Sequence, residues 1–215
     1  METADEAASP VVAAVVLAAG TATRMGRPKQ LLWLGDRCLL QHVLDEAAAS
    51  CVAELILVLG YHADEIRAAV RLPSRLPARI VINPDYAQGL STSLRLGLRS
   101  ANPRTTAVAI LLGDQPHVSA ALIDRVAAAF QAASSPLARP VHSDPAGHRV
   151  PGHPVFLTRR VWAEVEKLRG DQGARDLLSA RPDWLLEVPM QGEPPGDLDT
   201  LEDYQRAVDA ARARC

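Results

Sequence analysis

The chain has 215 residues, of which 48% are hydrophobic and only 4% aromatic, and its formal net charge is −2 with a pI near 6.3. This length fits one large α/β domain, and the nearly balanced charge disfavours nucleic acid as a partner, because nucleic-acid-binding domains usually carry a basic face. The charge instead favours a small molecule as the partner. The abundance of Ala, Val, Leu and Ile predicts helices packed closely on a sheet.

The cysteines and the start of the chain indicate the cellular setting. Cys38, Cys51 and Cys215 are odd in number and lack C-x-x-C spacing, so we expect neither a disulfide framework nor a zinc site. Residues 1–10 are acidic and alanine-rich, which predicts a disordered tail rather than a signal peptide. No stretch reaches the roughly 20 apolar residues of a membrane span. These features predict a cytoplasmic protein with no membrane partner.

Apolar runs alternate with amphipathic segments in the first part of the chain, which is the pattern of repeated βαβ units. The run 11–17 is uninterrupted and rich in valine, as expected of a strand buried on both faces of a parallel sheet. Further strands are predicted over residues 54–59, 79–82 and 107–112. Helices are predicted over residues 39–50, 64–72, 90–99 and 119–133, the last with Ser119 as N-cap.

A loop of small residues follows the first predicted strand, at the edge where ligands bind in open α/β sheets. Small side chains let phosphate oxygens approach the main chain closely. The segment proposed to contact the nucleotide consists of Leu17, Ala18, Ala19 and Gly20. Arg24 and Lys29 would neutralise the charge of a triphosphate. The loop matches neither Walker A nor G-x-G-x-x-G, and Gly20 and Arg24 alone would fit an ordinary strand-to-helix loop with solvated cations.

Two acidic positions suggest a metal site. Asp114 directly follows the predicted strand 107–112, and Asp199 precedes the last predicted helix. One or two carboxylates, completed by waters and substrate phosphates, are what Mg²⁺ requires. Either residue alone is equally well explained structurally, Asp114 as a turn former and Asp199 as a helix cap.

The sequence pattern changes after residue 134, where prolines are frequent and the spacing of apolar residues is less regular. Short strands are predicted over residues 137–141, 154–157 and 184–188, and a final helix over 200–212. Thr200 with Asp203 three residues later predicts a capping box at the start of that helix. No repeat or linker divides the chain, so we predict a single domain over residues 11–215.

The spacing L-A-A-G-x-x-x-R-M-G-x-x-K over residues 17–29 resembles the signature loop of the MobA-like nucleotidyltransferases, and most closely that of the molybdenum cofactor cytidylyltransferases. Further segments resemble the family in order along the chain: Q-G-L-S-T-S-L, G-D-Q-P, G-H-P-V-F, G-D-Q-G-A-R and D-L-D-T-L-E-D-Y. One departure is Ala22, where the family commonly has Ser; Thr21 and Thr23 flank it.

The resemblance implies a three-layer, Rossmann-like α/β nucleotidyltransferase fold with a mostly parallel central sheet. Its nucleotide-binding half would cover about residues 11–133 and its acceptor-binding half about 134–215. Arg24 and Lys29 would be catalytic by stabilising the pyrophosphate leaving group. Asp114 would be catalytic as a ligand of Mg²⁺, which it would share with Asp199.

The resemblance also implies contacts along the rest of the cleft. On the nucleotide side these residues are Ser91, Ser93 and Gly113. A helix beginning near Ser91 would favour an anion through its free N–H groups, although plain N-capping by Ser91 is the alternative. On the pterin side the residues are Gly152, His153, Pro154 and Arg175. The planar fork of Arg175 suits a phosphate, and His153 is expected to order its loop rather than act as a base.

The implied reaction transfers CMP from CTP to the terminal phosphate of molybdenum-bound molybdopterin, giving the cytosine dinucleotide and pyrophosphate. Alternatives are GTP as donor, another phosphorylated acceptor such as a sugar phosphate or phospholactate, and an oxidoreductase of the nicotine blue type. A non-catalytic protein that delivers cofactor to a molybdenum hydroxylase is a further alternative. The missing G-x-G-x-x-G disfavours hydride transfer, and retention of both acids and both cations disfavours the delivery role.

Overall fold

A computed structural model describes residues 11–20, 28–144, 146–191, 198 and 200–212. The predictions for the 1–10 tail, for Arg24 and for Asp199 fall outside these residues. In the described part of the chain, no helix is both long and apolar enough to cross a membrane.

The centre of the fold is an eight-stranded mixed sheet. A two-stranded antiparallel hairpin of β2 (Trp33–Leu34) and β3 (Arg37–Cys38) lies apart from it. The strands of the main sheet are β1 (Val12–Ala18), β4 (Glu54–Leu59), β5 (Ala78–Ile82), β6 (Ala107–Leu112), β7 (Leu137–Ser143), β8 (Arg149–Pro151), β9 (Val155–Thr158) and β10 (Leu185–Pro189). Their order is β10-β7-β9-β6-β1-β4-β5, and β8 pairs with β7.

The pairing is mostly parallel because the first half of the chain is built from crossover units. β1 runs parallel to both β4 and β6, and β4 runs parallel to β5. β9 is inserted antiparallel between β6 and β7, and β10 then pairs in parallel with β7. The antiparallel insertion brings the second half of the chain against β6.

Helices cover both faces of the sheet. They are α1 (Leu39–Ala49), α2 (Ala63–Ala69), α3 (Leu90–Arg99), α4 (Ala120–Ala133), α5 (Trp162–Val165), α6 (Ala174–Ala180) and α7 (Leu201–Arg212). Alternate residues of β1 divide between the two faces, since side chains in a strand have a period of two. Val16 packs in the cluster of α1, α2 and α4, and Val15 in that of α3, α5 and α6. The predicted three-layer α/β architecture with a mostly parallel sheet is confirmed.

Most predicted bounds agree with the structure to within two residues, and the exceptions have local causes. The helix predicted over 64–72 ends at Ala69, where Val70 turns extended and the N–H of Arg71 donates to Gln41 Oε1 at 2.8 Å. Pro73 also disfavours a helical conformation at Leu72. The N-cap prediction for Ser119 is confirmed, because its Oγ accepts from the Leu122 N–H at 3.3 Å.

The last helix returns to the first half of the molecule. Its predicted capping box is confirmed: the Thr200 N–H donates to Asp203 Oδ2 at 2.9 Å, and the Asp203 N–H donates to Thr200 Oγ1 at 3.1 Å. Tyr204 donates its hydroxyl to the carbonyl of Trp33 at 2.6 Å. Leu198 is buried in a small cluster with Leu32, Leu34 and Leu39. The chain just before α7 therefore packs beside the segment that follows Lys29.

Candidate functional site

The carboxyl ends of β1 and β6 lie side by side and form one edge of the candidate site. Leu17 is opposite Leu112 in the parallel register, and the Gly113 N–H donates to the Leu17 carbonyl at 2.9 Å. A Cβ at Gly113 would lie 2.8 Å from the Cβ of Ala18 and 3.1 Å from Leu40 Cδ1. Only glycine fits there, so the small residues of both strand ends serve packing as well as any ligand.

Lys29 and Asp114, which are 85 residues apart in the chain, meet at this edge. Lys29 lies on a short 3-10 turn (Lys29–Leu31), and its Nζ donates to Asp114 Oδ2 at 3.0 Å. Lys29 is only 8% exposed, whereas the Asp114 side chain is 35% exposed. A buried ammonium needs such a partner, because an uncompensated charge is costly to remove from water. The pair presents its carboxylate, rather than its ammonium, to solvent.

Beyond the pair opens a cleft of about 610 Å³. It is lined by Leu17, Ala18, Ala19, Gly20, Gln30, Tyr86, Ala87, Gly89, Leu90, Ser93, Leu112, Asp114 and Asp171. A Cβ built at Gly20 would meet no atom within 4 Å among the described residues, so the main chain there is open to a ligand. Small or apolar residues make up most of this lining, and its charged side chains, Asp114 and Asp171, are both acidic. An anionic ligand would therefore enter together with a cation.

The wall opposite β1 is the beginning of α3, which is locked to the loop before α6. Gly89 is the N-cap with φ of 106°, and the Ser91 N–H donates to the Gly170 carbonyl at 3.0 Å. A Cβ at Gly89 would lie 2.2 Å from the carbonyl carbon of Gly170. N-capping by Ser91 is therefore wrong. Since the Ser91 N–H already has a partner, this helix start offers an anion fewer donors than the sequence suggested.

Asn83 holds the same wall in place, and the sequence analysis did not single it out. It is buried, and its Nδ2 donates to Thr92 Oγ1 at 2.8 Å and Ser93 Oγ at 2.9 Å, while its Oδ1 accepts from the Asp85 N–H at 3.0 Å. These bonds hold the turn carrying Tyr86 and Ala87 into the cleft. A polar residue directly after a predicted strand was the available signal.

The residues predicted on the pterin side lie at or near the same sheet edge. β9 begins opposite Ile110, so the preceding Gly152-His153-Pro154 lies towards the carboxyl end of β6. The Gly152 N–H donates to the Pro140 carbonyl at 3.0 Å. Arg175 is exposed in the first turn of α6. Of the predicted contact residues, Ser93 and the 17–20 segment line the cleft. The others do not: Ser91, Gly113, Gly152, His153, Pro154 and Arg175.

Asp171 and Gln30 are cleft residues for which we made no sequence prediction of contact. Asp171 follows Gly170, whose carbonyl is held by α3, so the interlock described above carries this carboxylate to the cleft. Gln30 is the neighbour of Lys29 on the 3-10 turn and is 6% exposed. Both lie inside motifs that carry the family resemblance, and that position was the only signal available.

Comparison with known proteins agrees with this arrangement. Residues 14–184 match the MobA-like NTP transferase domain. The nicotine blue oxidoreductase of Paenarthrobacter nicotinovorans is 30% identical over 93% of this chain and 97% of its own length. The molybdenum cofactor cytidylyltransferase of Escherichia coli K12 is 25% identical over 88% of this chain and 92% of its own.

A crystal structure of Rv0371C from Mycobacterium tuberculosis H37Rv in complex with manganese has a TM-score of 0.76 at 32% identity, over 94% of this chain and 99% of that one. The fold and the family predicted from the signature loop are both confirmed. The chain belongs to the MobA-like NTP transferase family, whose members share this nucleotidyltransferase fold.

Proposed function

We propose that this protein transfers CMP from CTP to the terminal phosphate of molybdenum-bound molybdopterin. The observation that carries the proposal is the Lys29–Asp114 pair at 3.0 Å, whose carboxylate lines an open cleft beside the small-residue end of β1. A triphosphate needs a cation and close backbone approach; Lys29 on the 3-10 turn would supply the cation, and the end of β1 would supply the backbone. The similarity to the Escherichia coli cytidylyltransferase supports CTP and molybdopterin as the substrates.

Asp114 is suited to hold a divalent cation together with substrate phosphates. One of its oxygens bonds Lys29, and its side chain is 35% exposed at the cleft. No group of three or more His, Cys, Asp or Glu side chains in the described residues forms a metal site, so this is not a preformed cage. Mg²⁺ commonly takes only one or two carboxylates and completes its shell with waters and phosphates. The manganese complex of Rv0371C supports a divalent ion here.

Asp199 stays the proposed second ligand, by family resemblance. Its neighbour Leu198 is buried against Leu32 and Leu34, close to the turn that carries Lys29. When bound, Mg²⁺ would neutralise charge on the phosphates. Lys29 would then exchange part of its contact with Asp114 for phosphoryl oxygens.

In the proposed reaction, an oxygen of the molybdopterin phosphate forms a bond to the α-phosphorus of CTP. The bond from that phosphorus to the bridging oxygen of the β-phosphate breaks, and pyrophosphate leaves with the electron pair. Lys29 and Arg24 would neutralise the charge developing on pyrophosphate, and Arg175 would attract the acceptor phosphate. The acceptor is already ionised at neutral pH, so no general base is needed and His153 would order its loop.

Oxidoreduction is the second candidate, because the Paenarthrobacter nicotinovorans relative bearing that name is 30% identical over 93% of this chain. The Lys29–Asp114 pair favours phosphoryl chemistry instead, since hydride transfer needs neither a metal-binding carboxylate nor a triphosphate site. Delivery of cofactor to a molybdenum hydroxylase would require binding without turnover.

The test compares transfer of radiolabel from α-labelled CTP, GTP and ATP to molybdenum-bound molybdopterin in Mg²⁺, with pyrophosphate release measured in parallel. We expect CTP to be the preferred donor and Lys29→Gln to slow transfer by at least about a hundredfold. Lys167→Gln is the matched control, because that lysine pairs with Glu164 on the exposed surface. Binding without pyrophosphate release would support delivery, and oxidation or reduction of nicotine blue without transfer would support oxidoreduction. Either result would reject the proposal.

A further inference from the structure

Gln30 carries a buried polar atom that has no hydrogen-bond partner among the described residues. Its side chain lines the cleft, and it is only 6% exposed. The amide Nε2 faces the Ala18 carbonyl at 3.5 Å, which is long for a hydrogen bond. The amide Oε1 is enclosed and has no hydrogen-bond partner in the described part of the chain.

The orientation of this amide follows from chemistry. The Ala18 carbonyl can only accept, so the NH₂ group must face it and the oxygen must face away. A buried acceptor without a donor is rare in native proteins and destabilises the folded state. A ligand that brings a donor to such a group binds more tightly than an analogue that lacks the donor.

Lys29 and Gln30 are neighbours on the 3-10 turn, and their side chains recognise different ligand groups. Lys29 offers a cation, which suits phosphoryl oxygens, whereas Gln30 Oε1 can only accept a hydrogen bond. Ionised phosphates carry no donor, so they cannot satisfy this oxygen. If a bound nucleotide supplies the donor, it is a sugar hydroxyl or the exocyclic amine of the base.

We propose that Gln30 Oε1 accepts a hydrogen bond from a hydroxyl or amine donor of the bound nucleoside, and so acts as a specificity-determining residue. This inference rests on the proposed nucleotidyl transfer for the identity of the ligand. A nucleotide lacking the donor would bind more weakly, because the oxygen would stay buried without a partner.

The test uses Gln30→Met, which keeps the length of the side chain and removes its amide. Gln41→Met is the matched control, because both ends of that amide are satisfied: Nε2 donates to Asp45 at 2.8 Å, and Oε1 accepts from the Arg71 N–H at 2.8 Å. Thermal unfolding without ligand and equilibrium binding of CTP are measured for the full chain and both variants. We expect Gln30→Met to retain or raise the unfolding temperature and weaken CTP about tenfold. We expect Gln41→Met to lower that temperature and leave CTP affinity unchanged.

Nucleotide analogues then identify the donor. If a sugar hydroxyl is the donor, the wild-type protein binds 2′-deoxy or 3′-deoxy CTP about tenfold more weakly than CTP, and Gln30→Met shows no further loss. If the base amine is the donor, UTP gives that pattern instead. Either pattern supports the inference.

Equal CTP affinity in Gln30→Met and wild type would overturn the inference, as would a fall in unfolding temperature equal to that of Gln41→Met, since the protein itself would then satisfy the oxygen. Equal wild-type affinity for all the analogues would overturn it too. Failure of the wild-type protein to bind any nucleotide would instead reject the proposed function.

Discussion

Of two depressions on the described part of the surface, the larger is not the site that we propose. A groove of about 750 Å³ lies beside the β2–β3 hairpin, whereas the cleft at the strand ends measures about 610 Å³. We call the larger one the hairpin groove. It is lined by Leu31, Trp33, Asp36, Arg37, Cys38, Gln41, Asp45, Ala69, Arg71, Leu72, Pro73 and Ser74.

The polar groups of the hairpin groove largely satisfy one another. Arg37 donates to both oxygens of Asp36, at 2.9 and 3.0 Å, and to Asp45 at 2.8 Å. Gln41 is bonded at both ends. The cleft differs because Gly20 leaves backbone open and Gln30 holds an acceptor with no described partner. Unsatisfied groups, and not volume, distinguish the candidate site.

Replacing one carboxylate in the cleft and one in the hairpin groove should give the largest difference in the rate of CMP transfer. Asp114→Asn keeps the shape of the side chain, but it should weaken metal binding and it removes an ionic partner of Lys29. We expect transfer of CMP to fall by at least about a hundredfold with the fold retained, because charge stabilisation of the transition state is the main contribution in such reactions. Steady-state transfer rates and circular dichroism would measure this.

Asp45→Asn in the hairpin groove is the control, since that residue also accepts from a cation. We expect its transfer rate to equal that of the wild-type protein. A wild-type rate in Asp114→Asn would show that the cleft is not the reacting site, and a large loss in Asp45→Asn would show that the hairpin groove takes part.

Two glycines beside the ends of β1 and β6 test the comparison, and their substitution is expected to have an intermediate effect. Gly113→Ala places a Cβ 2.8 Å from Ala18 Cβ and 3.3 Å from the Leu17 carbonyl oxygen, so we expect a loss of about 1–3 kcal/mol in unfolding free energy. Gly20→Ala meets no described atom within 4 Å, so we expect unchanged stability but a higher KM for CTP. Urea unfolding and initial rates separate the two effects. Equal stability losses would mean that Gly20 is also a packing residue.

The sequence predicted the parts of the fold that depend on local patterns. The strands Glu54–Leu59 and Ala107–Leu112 have the predicted bounds because each is a continuous apolar run followed by glycine. The β2–β3 hairpin was missed because two-residue strands have no measurable periodicity. The short helices α5 and α6 lie in a region without clear periodicity and were missed as well.

The candidate site depended on contacts between distant residues, which no local pattern contains. The signature loop and G-D-Q-P predicted that Lys29 and Asp114 share a site, but not that they bond each other. The contact of Gly89 with Gly170 joins residues 81 positions apart and could not be predicted from either segment. Arg24 and Asp199 stay predictions.

The smallest expected effect concerns the Asp36–Arg37 ion pair, which lines the hairpin groove. The side-chain hydrogen bond from Arg37 holds the pKa of the Asp36 carboxyl below its usual value. Arg37→Gln should raise that pKa towards the usual value, which a carbon-detected NMR titration of the carboxyl would show. Because the pKa is lowered in the folded protein, the stabilisation is present above the unfolded-state pKa and is lost as the pH falls through the folded-state pKa.

Solvent screens this exposed pair strongly, so the unfolding free energy at neutral pH should change little. The transfer rate should not change at all, since Arg37 lies in the hairpin groove and not in the cleft. An unchanged Asp36 pKa would contradict the pairing itself. A fall in transfer rate would mean that the satisfied groove and the unsatisfied cleft form one functional surface, and the distinction between them would not hold.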